Sequence, residues 1–224
     1  MHTTIKVSTM MQNTDFYRAK LPHWQPLGGT FFVTYNLNGC IPREVFERWQ
    51  EDYEIEKRAI LQKNPISPIE LDNLDKRYFA KRDKYLDTLQ SGNHYLKDDR
   101  VAKVVADSLH YWDNKRIELY AYCIMSNHVH VVLRLLGDDE AEKVIYLQTL
   151  MHSIKLFSAR NCNKILNLSG QFWQHESYDR LVRDADELDR ILFYVLNNPV
   201  KAGLCLRIED WKYSYIKPDY NQYF

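Results

Sequence analysis

The chain has 224 residues, 45% of them hydrophobic, and its 30 Lys and Arg balance 30 Asp and Glu for a formal net charge of zero. A chain of this size and composition can bury a full core, and its neutrality argues against a protein that coats DNA indiscriminately. No apolar run of about 18 residues and no basic leader followed by an apolar segment is present, so a soluble cytoplasmic protein without membrane contact is expected.

The simplest organisation is one domain over 1–224 with a helical insertion at about 42–98, or one domain plus a small helical appendage. Residues 1–27 are polar and read as irregular, and Thr30 to Tyr35, β-branched and aromatic, reads as the first strand. Pro42 opens a helix in which Phe46, Trp49, Tyr53 and Ile60 recur near helical spacing, and Asn64-Pro65 breaks it. Ser67, Pro68 and Glu70 then form a capping box that starts a charged helix to about Leu89. Its charge run reads as a solvated face, with contact to a DNA hairpin as the alternative.

Asp98 or Asp99 caps a helix whose stripe is Val101, Val104, Val105, Leu109 and Trp112. Ile117 to Ile124 and His128 to Leu135 form a hairpin joined by Met-Ser-Asn. Asp139 to Ile165 reads as a long helix with Val144, Leu147, Met151, Ile154 and Phe157 inward. A strand is expected around Tyr178 to Arg183, a helix after Asp184, and an aromatic tail with no clear pattern. This alternation fits an α+β sandwich with an antiparallel sheet. Cys40, Cys123, Cys162 and Cys205 are far apart with no Cys-x-x-Cys, so they read as reduced thiols, and Cys123 as a small hydrophobe rather than a ligand.

His128-Val129-His130 is the most informative element. Residues two apart on a strand share a face, so His128 and His130 look into one space while Val129, Val131, Leu133 and Leu135 form the opposite apolar face. Neutral imidazoles bind divalent metals, and a metal with few protein ligands keeps positions where a phosphoryl oxygen can be polarised. Alone, the pair reads first as two satisfied or exposed histidines, and it is the second constellation that raises the metal reading.

The second constellation lies in the helix after Asp184, where Glu187 is placed as the N3 carboxylate of a cap. Leu188, Ile191, Leu192 and Val195 make its buried stripe, and Arg190, Tyr194 and Asn198 line a flank about 110° away. A tyrosine four residues before an asparagine, near a metal, suggests phosphoryl transfer with Tyr194 as nucleophile and Asn198 as a carbonyl-oxygen ligand. The other reading packs the Tyr194 ring at the core edge and lets Asn198 end the helix before Pro199.

Between 151 and 183, Lys155, Arg160, Lys164, Arg180 and Arg183 outnumber Glu176 and Asp179, with Phe172, Trp173 and Tyr178 interleaved. Basic groups hold phosphates and aromatic rings stack unpaired bases, but Phe172 and Trp173 fit a core as readily.

Together these residues resemble the single-tyrosine HUH transposase superfamily, and more closely the REP-associated tyrosine transposases of bacteria. The resemblance runs through Tyr17 to Leu37 as the opening strand and its approach, and through Arg77 to Asp87 with Tyr95 to Asp98 as the family's helical insert. It continues in Met125-Ser-Asn-His-Val-His130, Phe172 to Arg180 with Val182 to Asp184, and Tyr194 to Gly203. It implies a ferredoxin-like sandwich, a Mg²⁺ or Mn²⁺ on His128, His130 and Asn198, and Tyr194 as the nucleophile. The implied activity is single-strand cleavage and strand transfer beside a DNA hairpin of REP-palindrome type, through a 5′-phosphotyrosine. Lys155, Trp173, Arg180, Arg183 and Arg190 are the candidate DNA contacts. The assembly would be a monomer or homodimer, nucleoid-associated when bound. Ser126 departs from the family's usual proline, a change that leaves the ligands intact and is expected to loosen the turn before the histidines. A non-cleaving hairpin-binding regulator with the same fold, and a metalloenzyme acting on other esters, are the competing functional readings.

Overall fold

The structure is a computed structural model and describes residues 16–18, 22–24, 26, 28–88, 92–137 and 146–223. Phe16–Arg18 (β1) and Pro22–Trp24 (β2) pair as a small antiparallel ribbon. The centre is a five-stranded antiparallel sheet of Thr30–Asn36 (β3), Ile117–Ile124 (β4), His128–Leu135 (β5), Tyr178–Leu181 (β6) and Ser214–Ile216 (β7), in the order β6-β3-β5-β4-β7. Five helices accompany it among the described residues: Arg43–Leu61 (α1), Pro68–Thr88 (α2), Asp99–His110 (α3), Leu147–Leu166 (α4) and Ala185–Lys201 (α5). The order β6-β3-β5-β4, with α3 linking β3 to β4 and α4 linking β5 to β6, is the ferredoxin-like arrangement of an α+β sandwich. No helix among the described residues is long and apolar enough to cross a membrane.

The alternation along β3 and β5 decides which helix packs where. Phe31, Val33 and Tyr35 of β3 and Val129, Val131, Leu133 and Leu135 of β5 face Val101, Val105 and Leu109 of α3 and Leu150 and Ile154 of α4. The opposite face offers Phe32, Ala121, Cys123 and Val132 to Leu192, Val195 and Leu196 of α5. Because the strand period is two, that second face also carries the histidines, so they lie beneath α5.

Several boundaries follow from the residues that cap them. Ser67 Oγ accepts from the Glu70 N–H at 3.3 Å and Asp98 accepts from the Arg100 N–H at 2.9 Å, as N-caps do. β4 and β5 are joined by Met125-Ser-Asn127, a connection that makes several hydrogen bonds. Ser126 Oγ is 2.9 Å from His94 Nδ1, its carbonyl accepts from Leu96 N at 3.2 Å, and Asn127 Nδ2 donates to Leu86 O at 3.0 Å.

Four differences from the expected elements have physical causes or limits. β1 and β2 pair within the 1–27 stretch expected to be irregular, and strands of three residues leave no period to read there. The helix expected from Asp139 is described from Leu147, after extended backbone at Tyr146, and its expected first turns with Val144 lie outside the described residues. α5 does not end at Asn198 but passes through Pro199 to Lys201. It stops in a Schellman arrangement, with Gly203 at φ +69°, Gly203 N on Val200 O and Leu204 N on Pro199 O, each at 2.9 Å. β7, in the patternless tail, is three residues long and is fixed by pairing with the edge of β4; a strand so short leaves no period to read.

The α1–α2 pair between β3 and α3 is not simply solvated. α1 has no fully buried residue, but α2 buries Leu74, Asp83 and Leu86. Tyr53 Oη donates to Asp75 at 2.6 Å, and Trp49 packs edge-on to Tyr85 at 5.3 Å, joining the two helices.

Candidate active site

His128 and His130 are both fully buried, with ring centroids 4.7 Å apart and Nε2 atoms 3.0 Å apart. Antiparallel pairing with β3 sets Asn36 opposite His128 and Thr34 opposite His130. Thr34 Oγ1 lies 2.8 Å from His130 Nδ1. Asn127 Oδ1, which can only accept, lies 2.7 Å from His128 Nδ1. The His128 proton therefore sits on Nδ1 and its Nε2 presents a lone pair to the shared space. Burial, then the neighbouring His130, drives the His128 pKa well below the usual imidazole value, which keeps the ring in the neutral form that ligates metals.

α5 delivers the other two expected groups. Asp184 caps it by accepting from Glu187 N at 2.7 Å, and acidic Asp186 and Glu187 occupy its first turn, where the helix dipole favours them. With the helix so anchored, Asn198 is fully buried with Nδ2 3.0 Å from His130 Nε2, and the Tyr194 ring stands 5.8 Å from the His130 ring. Phe32, stacked on His130 at 5.7 Å, and Phe79 of α2, 5.9 Å from Tyr194, wall the phenol with aromatic edges.

The charge run of α2 supplies what was read as solvated. Asp83 is buried, with Oδ1 3.2 Å from His130 Nε2 and 4.0 Å from His128 Nε2, while its Oδ2 accepts the Tyr194 hydroxyl. One helical turn on, Asp87 Oδ1 lies 3.8 Å from His128 Nε2. Lys201 Nζ reaches both carboxylates, 3.2 Å from Asp83 and 3.1 Å from Asp87, and with its side chain 47% exposed it is the cationic member of the cluster that reaches solvent. Burial opposes the charge on Asp83, but His130 first and then the Tyr194 hydrogen bond outweigh it and lower its pKa. Tyr194 is pushed the other way, first by burial and then by the Asp83 charge and hydrogen bond, so its pKa rises.

The donor set fits a small divalent cation. Asn198 Oδ1, Asp83 Oδ1 and Asp87 Oδ1 are buried and make no hydrogen bond, a costly condition unless something else meets them. One ligand atom from each of Asp83, His128 and His130 lies within 4.8 Å of the others. Donors held about 2.1 Å from such an ion at right angles are about 3 Å apart, close to the 3.0 and 3.2 Å separations at His130 Nε2.

The candidate DNA contacts separate sharply. Trp173 is corrected to the core: it is 4% exposed, packs edge-on to Tyr35 at 4.8 Å and donates from Nε1 to Ser158 Oγ at 2.9 Å. A ring so enclosed has no face to offer a base. Lys155 spends its three donors on Gln174 O, His175 O and Ser177 Oγ, and burial and the charge of Arg82 lower its pKa to about 8. Arg180 and Arg183 bind Asp72 and Glu187, tying α2 to β6 and α5. Arg190 is exposed on α5.

Asp83 and Asp87 are the members of the cluster that sequence reasoning missed. The available signal was positional: Phe79, Asp83 and Leu86 follow one another at spacings of four and three, which puts them on one face of the helix. A carboxylate on the buried side of an amphipathic helix needs a partner.

Comparison with known proteins places these groups in context. The family model described as Transposase IS200 like matches residues 91–198, a span that includes His128, His130, Tyr194 and Asn198 and stops short of α2. A Haemophilus influenzae protein provisionally named a REP-associated tyrosine transposase is 32% identical over 101 residues, covering 43% of this chain. The chain spans 57% of that relative's length. A solved REP-associated tyrosine transposase bound to a REP hairpin is 16% identical, with a TM-score of 0.48 over 88% of this chain and 82% of that one.

Proposed function

We propose, from the premise that this chain is similar to IS200-like and REP-associated tyrosine transposases, that it is a metal-dependent single-stranded DNA endonuclease and strand transferase. Its substrate is a strand beside a DNA hairpin of the REP-palindrome type, met in the cytoplasm. The observation that carries the reading is the convergence of a tyrosine ring, two imidazoles and the side-chain amide of Asn198, from two separate elements, on one buried point.

In this reading His128, His130 and the Asn198 carbonyl oxygen hold Mg²⁺ or Mn²⁺, which when bound supplies positive charge to a phosphate oxygen. Asn127 and Thr34 fix the imidazole orientations from behind, as outer partners of metal-binding histidines do. Tyr194 Oη forms a bond to phosphorus as the bond from phosphorus to the 3′ oxygen breaks. The phenol loses its proton and the departing oxygen gains one, so the products are a 5′-phosphotyrosine and a free 3′-hydroxyl. The aromatic wall of Phe32 and Phe79 holds the phenol in place, and positioning supplies much of the catalysis in phosphoryl transfer. Since the phosphotyrosine keeps the phosphoester, attack by a 3′-hydroxyl rejoins strands.

Incubation of purified protein with labelled hairpin DNA and Mn²⁺ tests this. A slower-migrating, protease-sensitive covalent product is expected from the wild type, and Tyr194→Phe should bind the hairpin and form none. Hairpin binding by the wild type without any adduct would replace this reading with that of a non-cleaving regulator. Metal-dependent turnover of a small ester, with no preference for DNA, would replace it with that of an unrelated metalloenzyme.

A further inference from the structure

Resting on that functional reading, we infer that Asp83 of the α1–α2 pair is an additional catalytic residue, one of whose oxygens ligates the divalent cation while the other holds the Tyr194 hydroxyl. The matched family span begins at residue 91, so this carboxylate comes from outside it.

The two oxygens of Asp83 have different surroundings. Oδ1 accepts no hydrogen bond and faces the paired imidazole nitrogens, 3.2 Å from His130 Nε2 and 4.0 Å from His128 Nε2. Oδ2 accepts from Tyr194 Oη and lies 3.2 Å from Lys201 Nζ. Asp83 is a buried carboxylate with one bare oxygen, and the buried Asn198 Oδ1 is bare as well; such groups have a reason to take a cation, because oxygen donors of this kind suit Mg²⁺ and Mn²⁺. The same side chain then fixes the distance between the cation and the nucleophile, since both attach to one rigid carboxylate. Lys201 neutralises the side of Asp83 that the cation does not reach and shares its other contact with Asp87.

A consequence is that α2 is part of the active site. Its Phe79 and Asp83 close one wall, and Asn127 Nδ2 on Leu86 O fastens the helix to the turn that precedes His128.

The test uses the full chain. Mn²⁺ binding, read by electron paramagnetic resonance and calorimetry, is compared for wild type, Asp83→Asn, Asp83→Glu and His130→Ala, with melting curves for each. Asp83→Asn should lose at least tenfold in Mn²⁺ affinity, and Asp83→Glu should recover part of it. At saturating Mn²⁺ the adduct rate of Asp83→Asn should be about 100-fold lower, the size of effect expected when a nucleophile is about 1 Å out of place, while hairpin affinity is unchanged. If Asp83→Asn does not fold, the double variant Asp83→Asn, Lys201→Met also removes the charge that Asp83 had balanced and carries the same expectations. Mn²⁺ affinity within twofold of wild type in either variant, while His130→Ala loses it, overturns the inference. Failure is separable from failure of the functional reading: a wild type that binds Mn²⁺ and never links to DNA sinks that reading, whereas a wild type that links to DNA alongside an Asp83→Asn that binds and reacts equally well sinks this one alone.

Discussion

The Tyr194 hydroxyl donates to Asp83 Oδ2 across 111 residues of sequence, joining the last long helix to the pair of helices inserted after the first central strand. Tyr194→Phe removes this bond but leaves Asp83 with Lys201 and the histidines. Its stability should fall by about 1.5–3 kcal/mol, the range for a hydrogen bond to a charged group. Urea denaturation checks this, and a loss beyond that range would mean that the phenol, not the salt bridge, holds α2 in place.

Divalent metal should stabilise the fold. An ion bound only by the folded chain adds about 2.7 kcal/mol at a concentration 100 times its Kd, so millimolar Mn²⁺ should raise the melting temperature of the wild type. His128→Ala and His130→Ala should abolish both this shift and adduct formation. An undiminished shift in both variants would place the ion elsewhere.

Asp72 links α2 to β6 and to Arg183, just before α5, through Arg180 at 3.0 Å and Arg183. Burial opposes its charge, but hydrogen bonds from Arg183 and Lys76 outweigh burial and lower its pKa to about 2. A carboxylate depressed in the folded state contributes stability that is fully present above its unfolded pKa of about 3.9 and is lost as pH falls towards the folded value. Asp72→Asn should therefore cost about 1–2 kcal/mol at pH 7. Its stability difference from wild type should vanish between about pH 4 and pH 2, as read by denaturant titration at each pH.

Trp173 should behave as a core residue. Trp173→Phe loses the hydrogen bond to Ser158 Oγ and some packed volume, an expected cost of about 1–3 kcal/mol. Hairpin affinity per folded molecule should not change. A large fall in affinity with unaltered stability would restore the ring to the DNA surface.

Much of the candidate site is legible in the sequence. The period of two put His128 and His130 on the face opposite the Val129, Val131 and Leu133 core, and the spacing of four put Tyr194 and Asn198 on one flank of α5, where they meet the histidines. Local signals also marked the caps at Ser67, Asp98 and Asp184, since each bonds within three residues of itself.

What the sequence determined by itself was what depends on near neighbours: period, caps, and which residues share a face. The tertiary structure decided what depends on partners far along the chain. A charged helix shows the same composition whether its carboxylates face water or a buried histidine, and only the docking of α2 turned Asp83 inward, 3.2 Å from His130. In the same way Trp173 could serve a core or a base stack until Ser158 and Tyr35 enclosed it. Burial is a property of the assembled layers, and no local period encodes it for a side chain whose partner lies a hundred residues away.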